Sequence, residues 1–234
     1  MKYLKKMSVL IVFALLASSC KNEIDNYPAP DGGIIGTVYD MDTNQPIPLP
    51  VGGGSGTMVS LFEQKTNATA SIDFRANQDG TFVNSKVFNG YYRVYVNGPF
   101  VGVCEGFTTI KGQTQFDLRA IPFSRISAEA SISEDNKVSI NYQVEKADAT
   151  FTLNEISVMW NFAPGVDVNS SNYAAINAKG TQPNGTHMFD LLTSKIFAEN
   201  HYKIQANHNK IYIRVAAKVN NVINYSKVLE LIVH

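Results

Sequence analysis

Tyr91, Arg93 and Tyr95 alternate with Tyr92, Val94 and Val96 in one short run. Successive side chains of a β-strand point to opposite faces, so this spacing puts two phenol rings and a guanidinium on one face and an apolar row on the other. The apolar row is core. The other row has two accounts. Ordinary cross-strand packing on an exposed sheet face is the more economical. The functional account is a platform on which the apolar face of a sugar stacks while its hydroxyls meet flanking polar groups. Tyr173, between Asn172 and Ala174 in a polar stretch, is a further aromatic of this kind. Trp160 is the only tryptophan, but Ile156, Val158, Trp160 and Phe162 alternate onto one apolar face, which reads as core.

Other chemistries find no support in the spacing. Asp40, Asp42 and Asn44 sit at alternate positions, as at the start of an EF-hand loop, but the sixth and twelfth places hold Gln45 and Val51 instead of Gly and Glu. A hairpin turn explains them better. Gly52-Gly-Gly-Ser-Gly56 is not followed by the Lys and helix that a phosphate-binding loop requires, so it reads as an inter-strand loop. The four histidines, His187, His201, His208 and His234, show no i, i+4 pair and no neighbouring carboxylate cluster. No Gly-x-Ser-x-Gly elbow and no Ser/His/Asp arrangement can be picked out. A carboxylate pair distant in sequence is not excluded, but few acidic residues fall on strand-like runs. The expectation is a protein without catalytic residues, metal or cofactor. With 20 basic and 20 acidic residues and no net charge, nothing favours a nucleic-acid partner.

The elements that would position these residues are strands. Helical periodicity is nearly absent and alternation dominates. Strand-like runs fall at residues 34–39, 58–62, 72–75, 81–88, 91–96, 107–110 and 115–120. Turn residues separate them, and Asn89-Gly90 between two alternating runs reads as a hairpin. About seven short strands in some 90 residues suggest a small β-sandwich. Past Pro122 the pattern restarts at 126–132, 137–144, 155–162, 203–206, 211–219 and 227–233, with a helical turn expected within 187–197. The expected fold is all-β: a transthyretin/carboxypeptidase-regulatory-like sandwich over 33–121, then an Ig/fibronectin type III-like sandwich over 122–234.

The amino terminus sets an address. Lys2, Lys5 and Lys6 precede a short apolar run, then Ala17, Ser18, Ser19 and Cys20. About nine apolar residues are too few for a membrane span, which takes roughly twenty, and suit a signal peptide over 1–19. The small residues before Cys20 resemble a bacterial lipobox, although the usual leucine three places before the cysteine is Ala17. Lipidation of Cys20 and a tether over 20–32 follow. Pro28 and Pro30 favour an extended chain there, and twelve residues reach at most about 40 Å. Glu23 and Asp25 resemble the surface-export signals of Bacteroidota lipoproteins, which places the protein on the outer membrane facing the exterior. Cys104 is then left without a partner and reads as a buried small hydrophobe. Four Asn-x-Ser/Thr triplets, beginning at Asn67, Asn169, Asn184 and Asn224, read as polar turns and strand ends.

Two stretches carry a family likeness. Gly36-Thr-Val-Tyr-Asp40 with Asn44-Gln-Pro-Ile47 resembles the first hairpin of carboxypeptidase-regulatory domains. The run from Asp79-Gly-Thr-Phe through Asn89-Gly-Tyr-Tyr-Arg-Val-Tyr-Val-Asn-Gly-Pro-Phe100 resembles the core of domain-of-unknown-function family 3823, lipoproteins of Bacteroidota. Phe116-Asp-Leu-Arg-Ala-Ile-Pro-Phe123 and Ile211-Tyr-Ile-Arg-Val-Ala-Ala-Lys218 fit the same family. The resemblance implies an accessory to a SusC/SusD-type outer-membrane importer, with a polysaccharide or oligosaccharide as ligand and the transporter as protein partner. It supplies no catalytic residues. The competing expectation is a protein-binding adhesive or structural module of the envelope, since exposed sheet edges suit such pairing.

Overall fold

In the computed structural model the described residues are 28–234 apart from 55 and 67. The signal segment, Cys20, most of the tether and Asn67 lie outside them.

The first module contains β1 (Gly32–Asp40), β2 (Met58–Glu63), β3 (Ile72–Arg75), β4 (Thr81–Val87), β5 (Gly90–Asn97), β6 (Phe100–Val101), β7 (Glu105–Ile110), β8 (Gln113–Gln115) and β9 (Leu118–Pro122). One sheet runs β4-β1-β9-β6, with β8 also on β1, and the other runs β3-β2-β5-β7. Their inner faces meet through Ile34, Val38 and Phe82 on one side and Leu61, Tyr92 and Val94 on the other. The alternation of β5 therefore works as its spacing predicts: Tyr92, Val94 and Val96 are buried.

Two local expectations are corrected. Residues 115–120 do not form one strand. β8 and β9 both run parallel to β1, and between them the chain leaves the ladder at Phe116, whose N–H bonds the Ile35 carbonyl at 2.8 Å. A Cβ on Gly36 would lie 2.0 Å from the Phe116 carbonyl oxygen and 2.3 Å from the Phe82 ring, so only glycine fits this crossing. Asn89-Gly90 is likewise no hairpin, because β4 pairs with β1 while β5 pairs with β2 and β7. A two-residue type I′ turn needs positive φ at both central residues, and neither Asn89 nor Gly90 has it. The pair turns the chain from one sheet to the other.

The second module holds β10 (Ser124–Ile132), β11 (Lys137–Lys146), β12 (Leu153–Asn161), β13 (Ala175–Ala178), β14 (Asn184–Asp190), α1 (Lys195–Ala206), β15 (Lys210–Val219), β16 (Val222–Tyr225) and β17 (Leu229–Ile232). The sheet β10-β11-β14 faces β13-β12-β15-β16, with β17 also paired to β15. This is a fibronectin type III-like arrangement, closed around Ile140, Ile156, Trp160, Ile213 and Val215. Here the expected order of elements changes. His187 lies on β14, and residues 203–206 are the last turn of α1 instead of a strand. Ser194 starts that helix by accepting a hydrogen bond from the Phe197 N–H at 3.3 Å, as a serine N-cap does. Phe197 and Ile204, two turns apart on one face, are buried, and Phe197 meets the edge of Trp160 at 6.3 Å. That packing overrides the brief alternation of residues 203–206.

β15 is buried on both faces. Its inner row closes the second core, while Tyr212 and Ala216 on its outer row join Met159, Val166 and Tyr225 in a separate apolar cluster. Arg214 lies in that outer row with no solvent exposure. Its guanidinium donates to the carbonyls of Ser226 at 2.9 Å and Val166 at 2.8 Å within its own module. Across the junction it donates to those of Leu49 at 2.8 Å and Gln78 at 3.3 Å. The ring of Tyr225 lies 4.5 Å below it. Burial pulls its pKa down to about 10, which still leaves it charged at neutral pH. Further bonds join the modules. Arg125 holds Asp40 through Nε at 2.6 Å and Nη2 at 2.8 Å. Asn224, buried on β16, accepts from the Ser124 N–H and donates to the Pro99 carbonyl. Asp167 accepts from the Val51 N–H. The two sandwiches form one continuous body.

Candidate functional site: an aromatic sheet face

The outer face of β3-β2-β5-β7 turns away from the first core. Register sets its rows. Phe62, Arg93 and Phe107 are directly opposed across β2, β5 and β7, while Ser60, Tyr95 and Glu105 form the next row. Tyr91 opposes Thr109 and is the diagonal neighbour of Phe107. The Tyr91 and Phe107 rings stack with centroids 6.0 Å apart and planes inclined by 23°. Both present area to solvent, at 37% and 50% exposure. The Arg93 guanidinium lies 4.5 Å over the Phe62 ring, and its Nη1 stands 3.4 Å from the Glu105 carboxylate. A cation over an aromatic face and a partner carboxylate both restrict this side chain. At the far edge, Asp73 accepts hydrogen bonds from Ser71 and Ser60, which hold its carboxyl below the usual range.

The chemistry available here is stacking bordered by hydrogen bonding. The exposed parts of two stacked rings offer an apolar surface, and Arg93, Glu105 and Tyr95 supply donors and acceptors beside it. An exposed aromatic pair with fixed polar neighbours is the kind of surface that marks a binding patch.

The structure places the predicted residues in two locations. Tyr91, Arg93 and Tyr95 share the outer face of β5, with Tyr95 half-buried. Tyr173 does not join them: it packs half-buried against the Met159–Tyr212–Tyr225 cluster of the second module. Cys20 lies outside the described residues. Phe62, Glu105 and Phe107 complete the face and were not anticipated. Alternation along 58–62 and 105–110 carries a signal for them, but only the register between strands turns it into a neighbourhood.

Other candidate chemistry is quiet. Cys104 is buried, and burial pushes its thiol up to about 12. Among the described residues no three His, Cys, Asp or Glu side chains converge as a metal site. The Asp40–Asn44 segment is a turn: the Asn44 N–H bonds the Asp40 carbonyl, and the Asp40 carboxylate receives Asp42 N–H, Thr43 Oγ1 and Arg125. Burial raises the Asp40 pKa, but the Arg125 hydrogen bond and the others outweigh it and leave the carboxyl below its ordinary value.

These features define a class, an all-β protein of two sandwiches joined by side-chain hydrogen bonds, with an open aromatic sheet face on the first. Residues 32–121 match the family model described as protein of unknown function (DUF3823) N-terminal domain. The whole fold matches solved proteins of that family. A DUF3823 protein from Parabacteroides merdae is 20% identical with a TM-score of 0.71, covering 87% of this chain and all of its own. One from Bacteroides ovatus is 16% identical with a TM-score of 0.69, over 86% of this chain and 99% of its own. A "putative carbohydrate binding protein" from Bacteroides uniformis is 17% identical with a TM-score of 0.66, over 87% of this chain and 100% of its own. Among curated proteins none matches.

Proposed function

We propose that this protein is a non-catalytic, lipid-anchored binding protein of the outer cell surface that captures polysaccharide for a SusC/SusD-type importer. The observation that carries the binding role is the exposed Tyr91–Phe107 stack with Arg93 and Glu105 fixed beside it. The carbohydrate description of the Bacteroides uniformis protein of the same fold supports the ligand class. The lipid anchor rests on Cys20 and the residues before it.

The test is affinity electrophoresis of purified protein through a panel of neutral and acidic polysaccharides. At least one is expected to retard the wild type. The double variant Tyr91→Ala, Phe107→Ala should lose that retardation with its melting temperature preserved. Silence of the folded wild type across the panel, or retardation indifferent to the double variant, would overturn the reading. Mass spectrometry of the mature amino terminus tests the anchor separately: an unmodified Cys20 refutes it.

A protein-binding envelope module is the second reading. It draws on Met188 of β14, Leu192 of the turn that follows, and Ile196 and Tyr202 of α1, large apolar or aromatic residues left exposed. Recovery of a stable outer-membrane protein partner without any polysaccharide affinity would favour it.

A further inference from the structure

We propose that the cleft between the two modules is a second binding site, which takes a single neutral sugar residue such as a glycan chain end. The proposal rests on the carbohydrate reading above but uses none of the residues of the aromatic face. The cleft encloses about 520 Å³, inside the range of small-molecule sites. Each module supplies one wall: Thr57, Asn97 and Pro99 come from the first, and Asn221, Ile223 and Tyr225 from the second. Clefts at domain junctions are preferred ligand sites.

A buried group without a partner points to a ligand. Thr57 is 3% exposed, and its hydroxyl has no hydrogen-bond partner among the described residues. Such a group is destabilising unless something satisfies it. Only two buried side-chain atoms are in this state among the described residues, and Thr57 is the one of the two residues that lines this cleft. On the rim Asn97 and Asn221 are exposed, and each can offer an amide donor and acceptor to the cleft.

The charge of the lining sets the ligand class. No lysine or arginine lines the cleft, which argues against an anion. Its one carboxylate, Asp167, is already engaged in three hydrogen bonds: Oδ2 accepts from the Val51 N–H, and Oδ1 from the Asn169 N–H and Asn172 Nδ2. That argues against a cation. Hydroxyl and amide groups between the apolar faces of Pro99 and Ile223 suit a neutral polyhydroxylated ring. The walls are preorganised, because Arg214, the Asn224–Pro99 bond and the Asp167–Val51 bond fix one module against the other.

The test uses the full chain with glucose, galactose, mannose, xylose and arabinose as probes, read by saturation-transfer NMR and calorimetric titration. At least one should bind saturably. Thr57→Val, Asn97→Ala and Asn221→Gly should each weaken it about tenfold, whereas Tyr91→Ala with Phe107→Ala should not. Glycine is used at 221 because Asn221 has φ of 64°. Thr57→Val keeps the shape and removes an unpartnered hydroxyl, so its melting temperature should hold or rise while affinity falls. Binding untouched by the three cleft variants, or no binding of any probe to folded protein, overturns the proposal. Polysaccharide retardation by the same preparation then shows whether the aromatic-face reading survives.

Discussion

Replacing Arg214 with methionine should loosen the junction between the modules. The guanidinium is fully buried and donates to four carbonyls, two of them across the junction. The Gln78 carbonyl also receives the Leu49 N–H and stays satisfied. Those of Leu49, Val166 and Ser226 would lose their donor. An unsatisfied buried acceptor costs about 1–3 kcal/mol. Against this stands the relief of no longer burying a cation that lacks a carboxylate hydrogen bond, a penalty visible in its lowered pKa. The expected net loss is about 2–5 kcal/mol. At roughly 2–4 °C per kcal/mol for a chain of this size, that is a fall of about 4–20 °C in melting temperature. Scanning calorimetry of the full chain measures it, and X-ray scattering reports whether the modules move apart. Arg214→Lys should lose nearly as much, because one ammonium cannot span four acceptors arranged around a planar fork. A melting temperature within about 2 °C of wild type, with unchanged scattering, would refute the idea that Arg214 holds the modules together.

Burial, reinforced by repulsion from Lys179, holds the His187 pKa down to about 4, so the fold keeps this ring neutral. Its stabilising contribution is complete above the unfolded value near 6.5 and is lost as pH falls toward 4, up to about 3 kcal/mol. His187→Gln, which keeps a neutral acceptor for Asn177 Nδ2, should flatten that part of a urea-midpoint-against-pH curve. Arg125→Leu leaves the buried Asp40 carboxylate without its main partner and should cost about 2–3 kcal/mol in chemical denaturation. That is below the 3–5 kcal/mol of a fully buried pair because Arg125 keeps some solvent contact. The Asp40 carboxyl titrates below its ordinary value, so the stability due to this pair is present above about pH 4 and lost in stronger acid. The gap between wild type and variant should narrow there. Cys104, with its thiol pushed up to about 12, should resist iodoacetamide in the native protein and react once unfolded. Rapid native labelling would contradict its placement in the core.

What the sequence discloses and what it conceals follow from the range of the interactions. Tyr92, Val94 and Val96 announce a buried face because alternation is a property of one strand, and Trp160 is legible as core for the same reason. Asn89-Gly90 misleads because a turn signal says that the chain reverses, not which strand it reverses onto. Residues 203–206 mislead because four residues fit either period, and the deciding contacts, Ser194 to Phe197 and Phe197 to Trp160, lie outside the window. The candidate sites are less legible still. Half of the aromatic face was visible in Tyr91, Arg93 and Tyr95, but Phe62 and Phe107 join it through register, which no single strand encodes. Arg214 reads from its spacing as an ordinary outward-facing arginine, since Ile213 and Val215 beside it face the core. It becomes a buried tie only because the outer row of β15 meets a carbonyl 165 positions earlier in the chain. The cleft lined by Thr57 and Asn221 exists for the same reason. Mutations at the junction should therefore reach ligand binding in the cleft, while the aromatic face, built within one sheet of one module, should be indifferent to them.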